Sequence, residues 1–501
     1  MTLSKSDYML FLRHPAWLWL KKFEKHKLPP TDDNLQAIFD AGHEFEEYAE
    51  KLFPDGVKLG FNNFDEYRSL PDKTKKALDD CASTIFQGRF EENGLTCIVD
   101  VLECVEGNTF DLIEIKSSTR AKPEHNYDLA FQAIVLEKSG LKIRNIFVIH
   151  ANKEYSRNGD IESEKLTIKT DVTENVKALI DLTKKQIKKA FKVLAVKEMP
   201  DISPRLVNQA GVTGVQWFAE WLEVYKSLKS NLDPYSIYFL SFPNADQIGQ
   251  LEDVGIKQLA DVPEKLALRP KQVTQIQTTR DNKRIIDKEK IREFLSTFKF
   301  PLYFLDYETF SSVIPAFDGC QPYKDYPFQY SLHVLDTPES EIRHVEYLHQ
   351  ENSNPIPGLI KKLKVDIGKK GTILTWNMSY EKGCNDRMAG LYPKYKEFLD
   401  CLNEHIHDLM IPFSEMWFVD KDFFGSASIK NVMPVLAPEL SYKELGISDG
   451  LFARRMWTQT VLEGKNQSER KRIMADLSKY CTLDTFAMVR ILEELQKIIK
   501  T

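Results

Sequence analysis

The stretch that decides the fold of the second half of the chain is Pro301-Leu302-Tyr303-Phe304-Leu305-Asp306-Tyr307-Glu308-Thr309-Phe310. Its apolar and aromatic residues predict a β-strand. Asp306 and Glu308 are two positions apart, so they project from the same face of that strand. This arrangement provides the first two ligands of a metal site.

Two later segments supply further polar groups. The run Tyr480-Cys481-Thr482-Leu483-Asp484 begins a helical pattern in which Tyr480 and Asp484 lie one turn apart on one face. The run Ile373-Leu374-Thr375-Trp376-Asn377-Met378-Ser379-Tyr380-Glu381 predicts a buried strand that breaks at Asn377 and continues into a helix carrying Glu381. Acids and a tyrosine in this order suit two-metal cleavage of phosphodiester bonds.

The residue types indicate which metal is expected. Mg²⁺ and Mn²⁺ prefer oxygen ligands, and two such ions roughly 3.5 to 4 Å apart stabilise both the attacking and the leaving oxygen of an in-line displacement. We therefore expect Mg²⁺ or Mn²⁺ as the cofactor of this segment, held by carboxylates that also fix the ions against a polyanion.

The same motifs resemble those of the DEDDy exonucleases of the RNase H-like superfamily, in which the first motif is Asp-x-Glu and the last is Tyr-x-x-x-Asp. The resemblance implies that Asp306, Glu308 and Asp484 ligate metal and that Tyr480 orients the attacking water. The middle motif of that family ends in Asp, and this chain has Glu381 there, whose extra methylene still allows it to reach a metal. The alternative is that each of these motifs, taken alone, has a structural role and no catalytic one.

A second group of polar residues lies near the N-terminus. Residues 95–103 and 109–116 are two strand-like runs separated by the turn Glu106-Gly107-Asn108, which predicts a β-hairpin. Glu114 and Lys116 share one face, and Asp100 on the partner strand can meet them. Ordinary cross-strand charge pairs are the alternative, but the flanking apolar residues predict a buried hairpin in which an unpaired acid would be costly.

This hairpin resembles the PD-(D/E)XK nucleases, particularly their RecB-like branch. The resemblance implies that Asp100 and Glu114 bind metal and that Lys116 helps to deprotonate water or neutralises charge developing on the phosphate. A helix beginning near Tyr127 resembles the RecB-type glutamine motif, with Gln132 as its glutamine. The helical segment 39–48 supplies a first-motif acid, which we assign to Glu47 with Glu46 as the alternative.

The first twenty residues resemble the opening of RecB-type nucleases that carry an iron-sulfur cluster, where a Cys precedes a Pro. This chain has His14 at that position, and no cysteine lies between Cys104 and Cys320. We expect no iron-sulfur cluster, because the closing cysteines are missing as well. His14 is then expected to cap a helix or to pack.

Together, both sets of motifs resemble a bacterial family that fuses a RecB-like nuclease domain to an RNase H-like exonuclease domain. The expected fold class is α/β (α+β). The expected domains are a PD-(D/E)XK restriction-endonuclease-like domain over residues 1–225, a helical linker over 226–298 that includes an element resembling half of a helix-hairpin-helix, and an RNase H-like domain over 299–501.

Composition is consistent with these expectations. The chain has 501 residues, of which 42% are hydrophobic and 28% charged, which is ordinary for two or three globular domains. Its net charge of -6 argues against a broadly basic DNA-coating protein. The 7 cysteines show no paired spacing, which indicates a reducing compartment. We expect a cytoplasmic protein with no membrane association, because charged residues interrupt the apolar stretch near the N-terminus.

Three functional hypotheses follow. The first is a metal-dependent nuclease with two catalytic sites, acting on DNA in preference to RNA, in DNA repair or in defence. The second is an exonuclease with one working site, whose N-terminal domain only binds substrate. The third is a catalytically inactive scaffold that binds nucleic acid. The sequence identifies no protein partner.

Overall fold

The computed structural model describes residues 1–30, 33–208, 210–266, 268–443 and 445–500. The chain is a mixed α/β protein that divides into two compact units. The first unit contains residues 1–232, 244–250 and 312–323, and the second contains 233–243, 251–311 and 324–501. This division differs from the expected domains, because segment 226–298 is shared between the units and a short segment beyond residue 311 belongs to the first.

A seven-stranded mixed sheet forms the centre of the first unit, with strands in the order β2-β3-β4-β5-β6-β7 and β1 paired to β4. The strands β3, β4 and β5 run antiparallel, whereas β5 and β6 are parallel. The predicted hairpin is confirmed as β4 and β5. The strands are β1 Leu3–Ser4, β2 Val57–Lys58, β3 Thr84–Glu92, β4 Leu95–Glu106, β5 Thr109–Lys116, β6 Lys142–Ala151 and β7 Thr167–Asp171.

Helices cover this sheet. Helix α5, Pro123–Lys138, is buried over most of its length because its residues are apolar on nearly all sides. The lysine-rich helix α7, Thr173–Ala195, packs its apolar side against α5. The helices are α1 Lys5–Arg13, α2 Pro15–Phe23, α3 Asp33–Glu50, α4 Phe64–Asp79, α5 Pro123–Lys138, α6 Ser163–Leu166, α7 Thr173–Ala195 and α8 Phe218–Leu228, with short 3-10 turns at Lys25–Lys27 and Pro204–Leu206.

His14 caps the N-terminus of helix α2 and packs against an aromatic ring, as the sequence predicts. Its Nδ1 accepts a hydrogen bond from the backbone N–H of Ala16 at 3.1 Å, which satisfies the N-terminus of α2. The proton therefore sits on Nε2, which donates to the carbonyl of Ser203 at 3.1 Å. The ring stacks on Trp221 with centroids 3.9 Å apart. Both nitrogens of the neutral imidazole are thus used within the fold.

The segment 312–323 completes the core of the first unit. Val313 and Ile314 are buried in the same apolar cluster as Phe45. The guanidinium of Arg157 donates to the carbonyls of Pro315 and Ala316 at 3.0 and 2.8 Å. These contacts fasten the segment by both side-chain packing and hydrogen bonds.

A five-stranded sheet in the order β11-β10-β9-β12-β13 forms the centre of the second unit. The strand β9 pairs antiparallel with β10 and parallel with β12. The predicted strand that carries Asp306 and Glu308 is confirmed as β9, and the predicted strand at Ile373 is confirmed as β12. The strands are β8 Ile285–Ile286, β9 Leu302–Phe310, β10 Tyr326–Leu335, β11 Arg343–Leu348, β12 Thr372–Thr375, β13 Ile406–Asp408 and β14 Phe418–Val419.

Helix α18, Arg470–Lys500, packs across β9 and β10 and buries its apolar stripe in the core of the second unit. The remaining helices are α9 Ala245–Asp253, α10 Pro270–Asp281, α11 Lys288–Ser296, α12 Ile356–Asp366, α13 Met378–Leu391, α14 Lys396–His405, α15 Ile411–Ser414, α16 Ile429–Leu436, α17 Gly450–Trp457 and α18 Arg470–Lys500, with 3-10 turns at Ile237–Phe239, Leu259–Asp261, Pro393–Tyr395 and Lys421–Phe423 and a π turn at Thr458–Leu462. Within the described ranges, no helix is long and apolar enough to cross a membrane.

Candidate metal centre

The central strand β9 positions the first two acids of the second unit. Asp306 lies opposite Ser331 of β10, and Glu308 lies opposite Gln329, so the alternation of the strand places both carboxylates on one face. Asp306 is half-buried and Glu308 is 7% exposed. The geometry that the spacing predicts for this pair is confirmed.

Helix α18 brings its own polar side chains against this face. Tyr480, Cys481 and Asp484 are spaced so that all three lie on one side of the helix, and all are buried. The Sγ of Cys481 lies 3.6 Å from Oδ2 of Asp306. One ligand atom each from Asp306, Glu308 and Cys481 lies within 4.8 Å of the others. Cys481 was not predicted as part of the site, although it directly follows Tyr480 in the sequence.

Glu381 enters from a third element. The strand β12 ends at Thr375, and Asn377 has the left-handed conformation with a φ of 76° before α13 begins. The carboxylate of Asp408 accepts hydrogen bonds from the backbone N–H groups of Asn377 and Met378, at 3.0 and 3.1 Å, and so fixes this turn. Glu381 follows in the first turn of α13. It is 1% exposed, and its Oε2 has no hydrogen-bond partner among the described residues.

The four carboxyl groups of this site all have raised pKa values. Burial, followed by the charge of Asp484, raises the pKa of Asp306 well above its usual range. Burial and the charge of Asp306 do the same for Glu308 and for Glu381. Burial raises the pKa of Asp484 to about 6, although hydrogen bonding from Tyr442 and the charge of Lys430 oppose the rise. The four carboxyl groups therefore hold protons more tightly than isolated carboxyl groups do, as expected for acids that are buried close to one another.

Positive side chains are near this site but do not pair with its acids. Arg454 and Lys430 lower the pKa of Glu308, which places their charges close by. In the described part of the chain, none of the four carboxylates has a lysine or arginine within ion-pair distance. The guanidinium of Arg454 instead pairs with Asp325 at 2.6 Å and donates to the carbonyl of Thr309 at 3.1 Å.

This donor set fits a hard divalent cation. Asp306, Glu308, Glu381 and Asp484 offer buried carboxylate oxygens, and the orphaned Oε2 of Glu381 is a polar atom whose burial is otherwise uncompensated. These four residues would hold Mg²⁺ or Mn²⁺. The thiol of Cys481 adds a softer donor at the edge of the set.

Two tyrosines converge on Asp484. The hydroxyl of Tyr442 donates a hydrogen bond to Oδ1 of Asp484. The phenol of Tyr480 also lies close enough to lower the pKa of Asp484. The rings of the two tyrosines are 6.0 Å apart. Tyr480 is therefore placed where the sequence predicts it, whereas Tyr442 is a residue that sequence reasoning did not assign to the site.

In the first unit, Glu114 is the centre of a hydrogen-bonded cluster. Its Oε1 pairs with the ammonium of Lys116 at 2.5 Å, and its Oε2 accepts from Nε2 of Gln132 at 2.7 Å. Glu114 is completely buried. The predicted convergence of Glu114, Lys116 and Gln132 is thus confirmed as geometry.

Two residues of this cluster were not predicted. The ammonium of Lys5, at the start of α1, lies 2.9 Å from Oε1 of Glu114. Asp128, one turn before Gln132 on α5, lies 3.3 Å from the ammonium of Lys116 and accepts from Gln132 at 3.0 Å. Burial alone would raise the pKa of Glu114, but the charges of Lys116 and Lys5 hold that pKa well below its usual range.

Asp100 lies at the edge of the same cluster. Its Oδ2 accepts a hydrogen bond from the backbone N–H of Ile115 at 2.8 Å. Burial, followed by the charge of Glu114, raises the pKa of Asp100 to about 7, and the lysines oppose that rise. Asp100 is therefore near the predicted partners, but it makes no ion pair with Lys5 or Lys116 within the described residues.

The two candidates for the first-motif acid, Glu47 and its alternative Glu46, differ in burial and in the influence of the cluster on them. Glu47 is exposed on α3, whereas Glu46 is partly buried, and its pKa is raised by burial and by the charge of Glu114 while Lys116 opposes the rise. Successive helical residues point about 100° apart, so only one of two neighbours can face the cluster. The side chain that does so is Glu46, the alternative, and not Glu47.

The two sites differ in how their charge is balanced. Both oxygens of Glu114 are occupied by groups of the chain itself, two of them ammonium groups. As arranged, both carboxylate oxygens of Glu114 already accept hydrogen bonds, so a cation at this residue would have to displace one of these donors. Glu114 is thus compensated by the chain itself, whereas Asp100, whose pKa is raised to about 7, makes no ion pair with these lysines among the described residues. The assignment of both residues as metal ligands stays a prediction.

Comparisons with known proteins give a family match over part of the chain and similarity to proteins described as uncharacterized. Residues 303–428 match the family described as a domain of unknown function, DUF2779. The chain is similar to the uncharacterized protein MG366 of Mycoplasma genitalium, with 26% identity over 217 residues, which covers 39% of this chain and 32% of that protein. It is also similar to the uncharacterized protein UU173 of Ureaplasma parvum, with 22% identity over 228 residues, 39% of this chain and 31% of that protein. The chain thus spans about a third of the length of these relatives.

Proposed function

We propose that this protein is a metal-dependent nuclease that hydrolyses phosphodiester bonds, with DNA favoured over RNA. The working site is that of the second unit, where Asp306, Glu308, Glu381 and Asp484 hold Mg²⁺ or Mn²⁺. The expected reaction is removal of nucleotides from 3′ ends. A role in DNA repair or in defence against foreign DNA and a cytoplasmic location belong to the same proposal.

One observation carries the proposal, namely that the acids of the second unit are buried together and form no ion pair with a lysine or arginine of the described ranges. Within the described part of the chain, Oε2 of Glu381 has no hydrogen-bond partner, and the pKa values of all four acids are raised. Such crowding destabilises the ionised protein unless a cation enters. The internally paired Glu114 of the first unit provides the contrast within the same chain.

The fold around this site supports the proposal. Two antiparallel pairings, β11 with β10 and β10 with β9, are followed by two parallel pairings of β9 with β12 and β12 with β13. This order resembles the RNase H-like domains in which DEDDy exonucleases place their acids. The three motifs lie on the elements expected for them, namely Asp306 and Glu308 on a central strand, Glu381 on a helix after a strand, and Asp484 on the last helix.

The mechanism assigns a separate role to each group of residues. Bound metal ions would supply stabilisation of the attacking and leaving oxygens. Tyr480, held beside Asp484 at the edge of the acid cluster, orients the attacking water through its hydroxyl. Burial raises the pKa of Tyr480 further above its ordinary value, so the phenol stays protonated and acts as a hydrogen-bond donor. Asp408 holds the turn before α13 and thereby positions Glu381.

End-labelled single- and double-stranded DNA and RNA test the proposal. With Mg²⁺ or Mn²⁺ we expect shortening from 3′ ends, and with EDTA none. Asp306→Ala should abolish the shortening, because a shared ligand is lost. Glu397→Ala, which removes an exposed acid on α14, is the matched control and should retain full activity. Equal activity in the Asp306→Ala protein would refute the assignment of the site.

For the first unit, two roles are compatible with its resemblance to PD-(D/E)XK nucleases. A second hydrolytic site is the first. The pairing of Glu114 with Lys5 and Lys116 favours the other, in which this unit binds substrate without cutting it. In that role the two lysines keep the charge of Glu114 compensated.

The products of single-site variants separate these roles. If the first unit cuts, Asp306→Ala should leave a metal-dependent product class that Lys116→Ala removes. If it only binds, Asp306→Ala should leave no metal-dependent cleavage, and Lys116→Ala should change the affinity for DNA and its salt dependence. An inactive scaffold would show neither cleavage nor calorimetric binding of Mn²⁺.

A further inference from the structure

Lys430, on the first turn of α16, lies beside the acid cluster without being neutralised by it. Its ammonium donates to the carbonyl of Ser448 at 2.9 Å. It also lies 5.7 Å from the ring centroid of Tyr442 and 5.8 Å from that of Tyr480. The side chain is exposed, and in the described part of the chain it has no carboxylate within ion-pair distance.

The other cation near the site is committed to the fold. Arg454 donates four hydrogen bonds, at 3.1 Å to the carbonyl and 3.1 Å to the hydroxyl of Thr309, at 2.7 Å to Ser311 and at 2.6 Å to Asp325. A ligand that bound Arg454 would have to break these hydrogen bonds. Lys430 has one neutral hydrogen-bond partner to exchange, and a charge-assisted bond to an anion is stronger than its present bond to a carbonyl.

The position of Lys430 is defined by the reacting groups themselves. Its charge lowers the pKa values of Glu308 and of Asp484, although both remain raised overall by burial. It is held beside both Tyr442 and Tyr480, whose hydroxyls serve Asp484. A group close to the metal-binding acids, exposed to solvent and positively charged is suited to an anionic substrate rather than to the stability of the core.

We propose that Lys430 binds a backbone phosphate of a polynucleotide at the site of the second unit. This inference rests on the proposed nuclease function and deepens it, because it assigns the contact that offsets repulsion between the acids and a polyanion. The ammonium leaves the carbonyl of Ser448 and donates to a phosphate oxygen, while the neighbouring tyrosine rings keep the lysine stem in place. Because this contact is to the backbone and not to a base, it is independent of sequence.

The test uses the full-length protein with a fluorescent single-stranded DNA oligonucleotide. Lys430→Met keeps the length of the side chain and removes the charge. We expect its dissociation constant, measured with Ca²⁺ in place of Mg²⁺, to rise roughly 10- to 100-fold, as for a lost hydrogen bond to a charged group. The slope of log affinity against log salt should become less steep by about 0.7, the value for one contact to a single strand. Lys430→Arg should retain the wild-type slope.

Lys479→Met is the matched control, since Lys479 is an exposed lysine on the helix that carries Tyr480. It should not differ from wild type. Steady-state kinetics with Mg²⁺ should show a raised KM for Lys430→Met with kcat nearly unchanged. An unchanged salt slope, or a loss confined to kcat, would overturn the phosphate contact while leaving the nuclease assignment intact. A wild-type protein that neither binds nor cleaves the oligonucleotide would overturn both.

Discussion

The hydroxyl of Tyr442 donates a hydrogen bond to Oδ1 of Asp484, so a residue 42 positions earlier in the chain holds the last acid of the cluster. A donor to a carboxylate favours its ionised form. This bond therefore opposes the burial that raises the pKa of Asp484 to about 6. In the proposed metal site, Tyr442 is therefore a positioning residue that favours the ionised carboxylate of Asp484, the form that binds a cation.

Tyr442→Phe should weaken binding of Mn²⁺. Without the hydrogen bond, the pKa of Asp484 rises further and fewer molecules carry the carboxylate at a given pH. We expect a roughly 10- to 100-fold loss of affinity, as for other groups that orient a metal ligand. The loss should be larger at pH 6 than at pH 8. Isothermal titration calorimetry at both pH values measures it, and an equal loss at both would contradict the role assigned to the phenol.

Tyr480→Phe should act on the chemistry instead. Removing the hydroxyl leaves Asp306, Glu308, Glu381 and Asp484 in place, so the affinity for Mn²⁺ should change little. The rate constant of hydrolysis should fall by on the order of 10² to 10⁴, the range for a lost acid, base or positioning group. Single-turnover cleavage of an end-labelled oligonucleotide measures this rate. A variant that cleaves as fast as wild type would remove Tyr480 from the mechanism.

Mn²⁺ should stabilise the second unit, and more so at higher pH. The pKa of Asp484 is about 6 in the fold, above its ordinary value of 3.8. In the absence of metal, protonated Asp484 therefore stabilises the fold below pH 3.8, and this stabilisation is lost as the pH rises through 6 and the carboxyl group ionises. At a Mn²⁺ concentration fixed at about 100 times the dissociation constant at pH 7.5, the gain at that pH should be roughly 2.7 kcal/mol, and the same concentration should give a smaller gain at pH 5, where protons compete with the cation. Differential scanning calorimetry at pH 5 and 7.5 tests this, and Asp484→Ala should show no such gain.

Acid should destabilise the first unit through His14. Burial lowers the pKa of this imidazole from 6.5 to about 4. The neutral imidazole therefore contributes to the free energy of unfolding in full above pH 6.5, and this contribution is lost as the pH falls through 4. The full contribution is on the order of 3 kcal/mol for a shift of this size. His14→Asn retains a capping oxygen but cannot titrate in this range. Urea unfolding at pH 7 and pH 5 should therefore show a smaller loss in the variant than in wild type.

Lys5→Met should destabilise the first unit, because it leaves part of the charge of the buried Glu114 without a partner. Lys116 and Gln132 still bond to Glu114, so we expect a loss of about 2 kcal/mol, the range for one hydrogen bond to a charged group. Lys27→Met, which removes an exposed lysine, is the control and should cost little. Equal unfolding free energies for the two variants would show that Lys5 does not stabilise the cluster.

The geometry within single elements was predictable from the sequence, and the contacts between distant segments were not. Asp306 and Glu308 share a face because strands alternate, and Tyr480 and Asp484 share one because they are one helical turn apart. Lys5 contacts Glu114, which lies 109 positions later in the sequence, and no local sequence pattern predicts such a contact. The choice between Glu46 and Glu47 depends on the rotation of α3 about its axis, which a neighbouring pair of acids leaves undetermined.

The segment 312–323 has a consequence for how the protein is made. Val313, Ile314 and the carbonyls that Arg157 binds belong to the first unit, yet they emerge from the ribosome after β9 of the second unit. At ordinary translation rates, the delay between residue 232 and residue 323 is on the order of ten seconds. During that interval the nascent first unit lacks Val313 and Ile314, so the apolar side chains that pack against them, such as Phe45, are less well covered. Folding of the first unit is therefore completed in step with synthesis of the second.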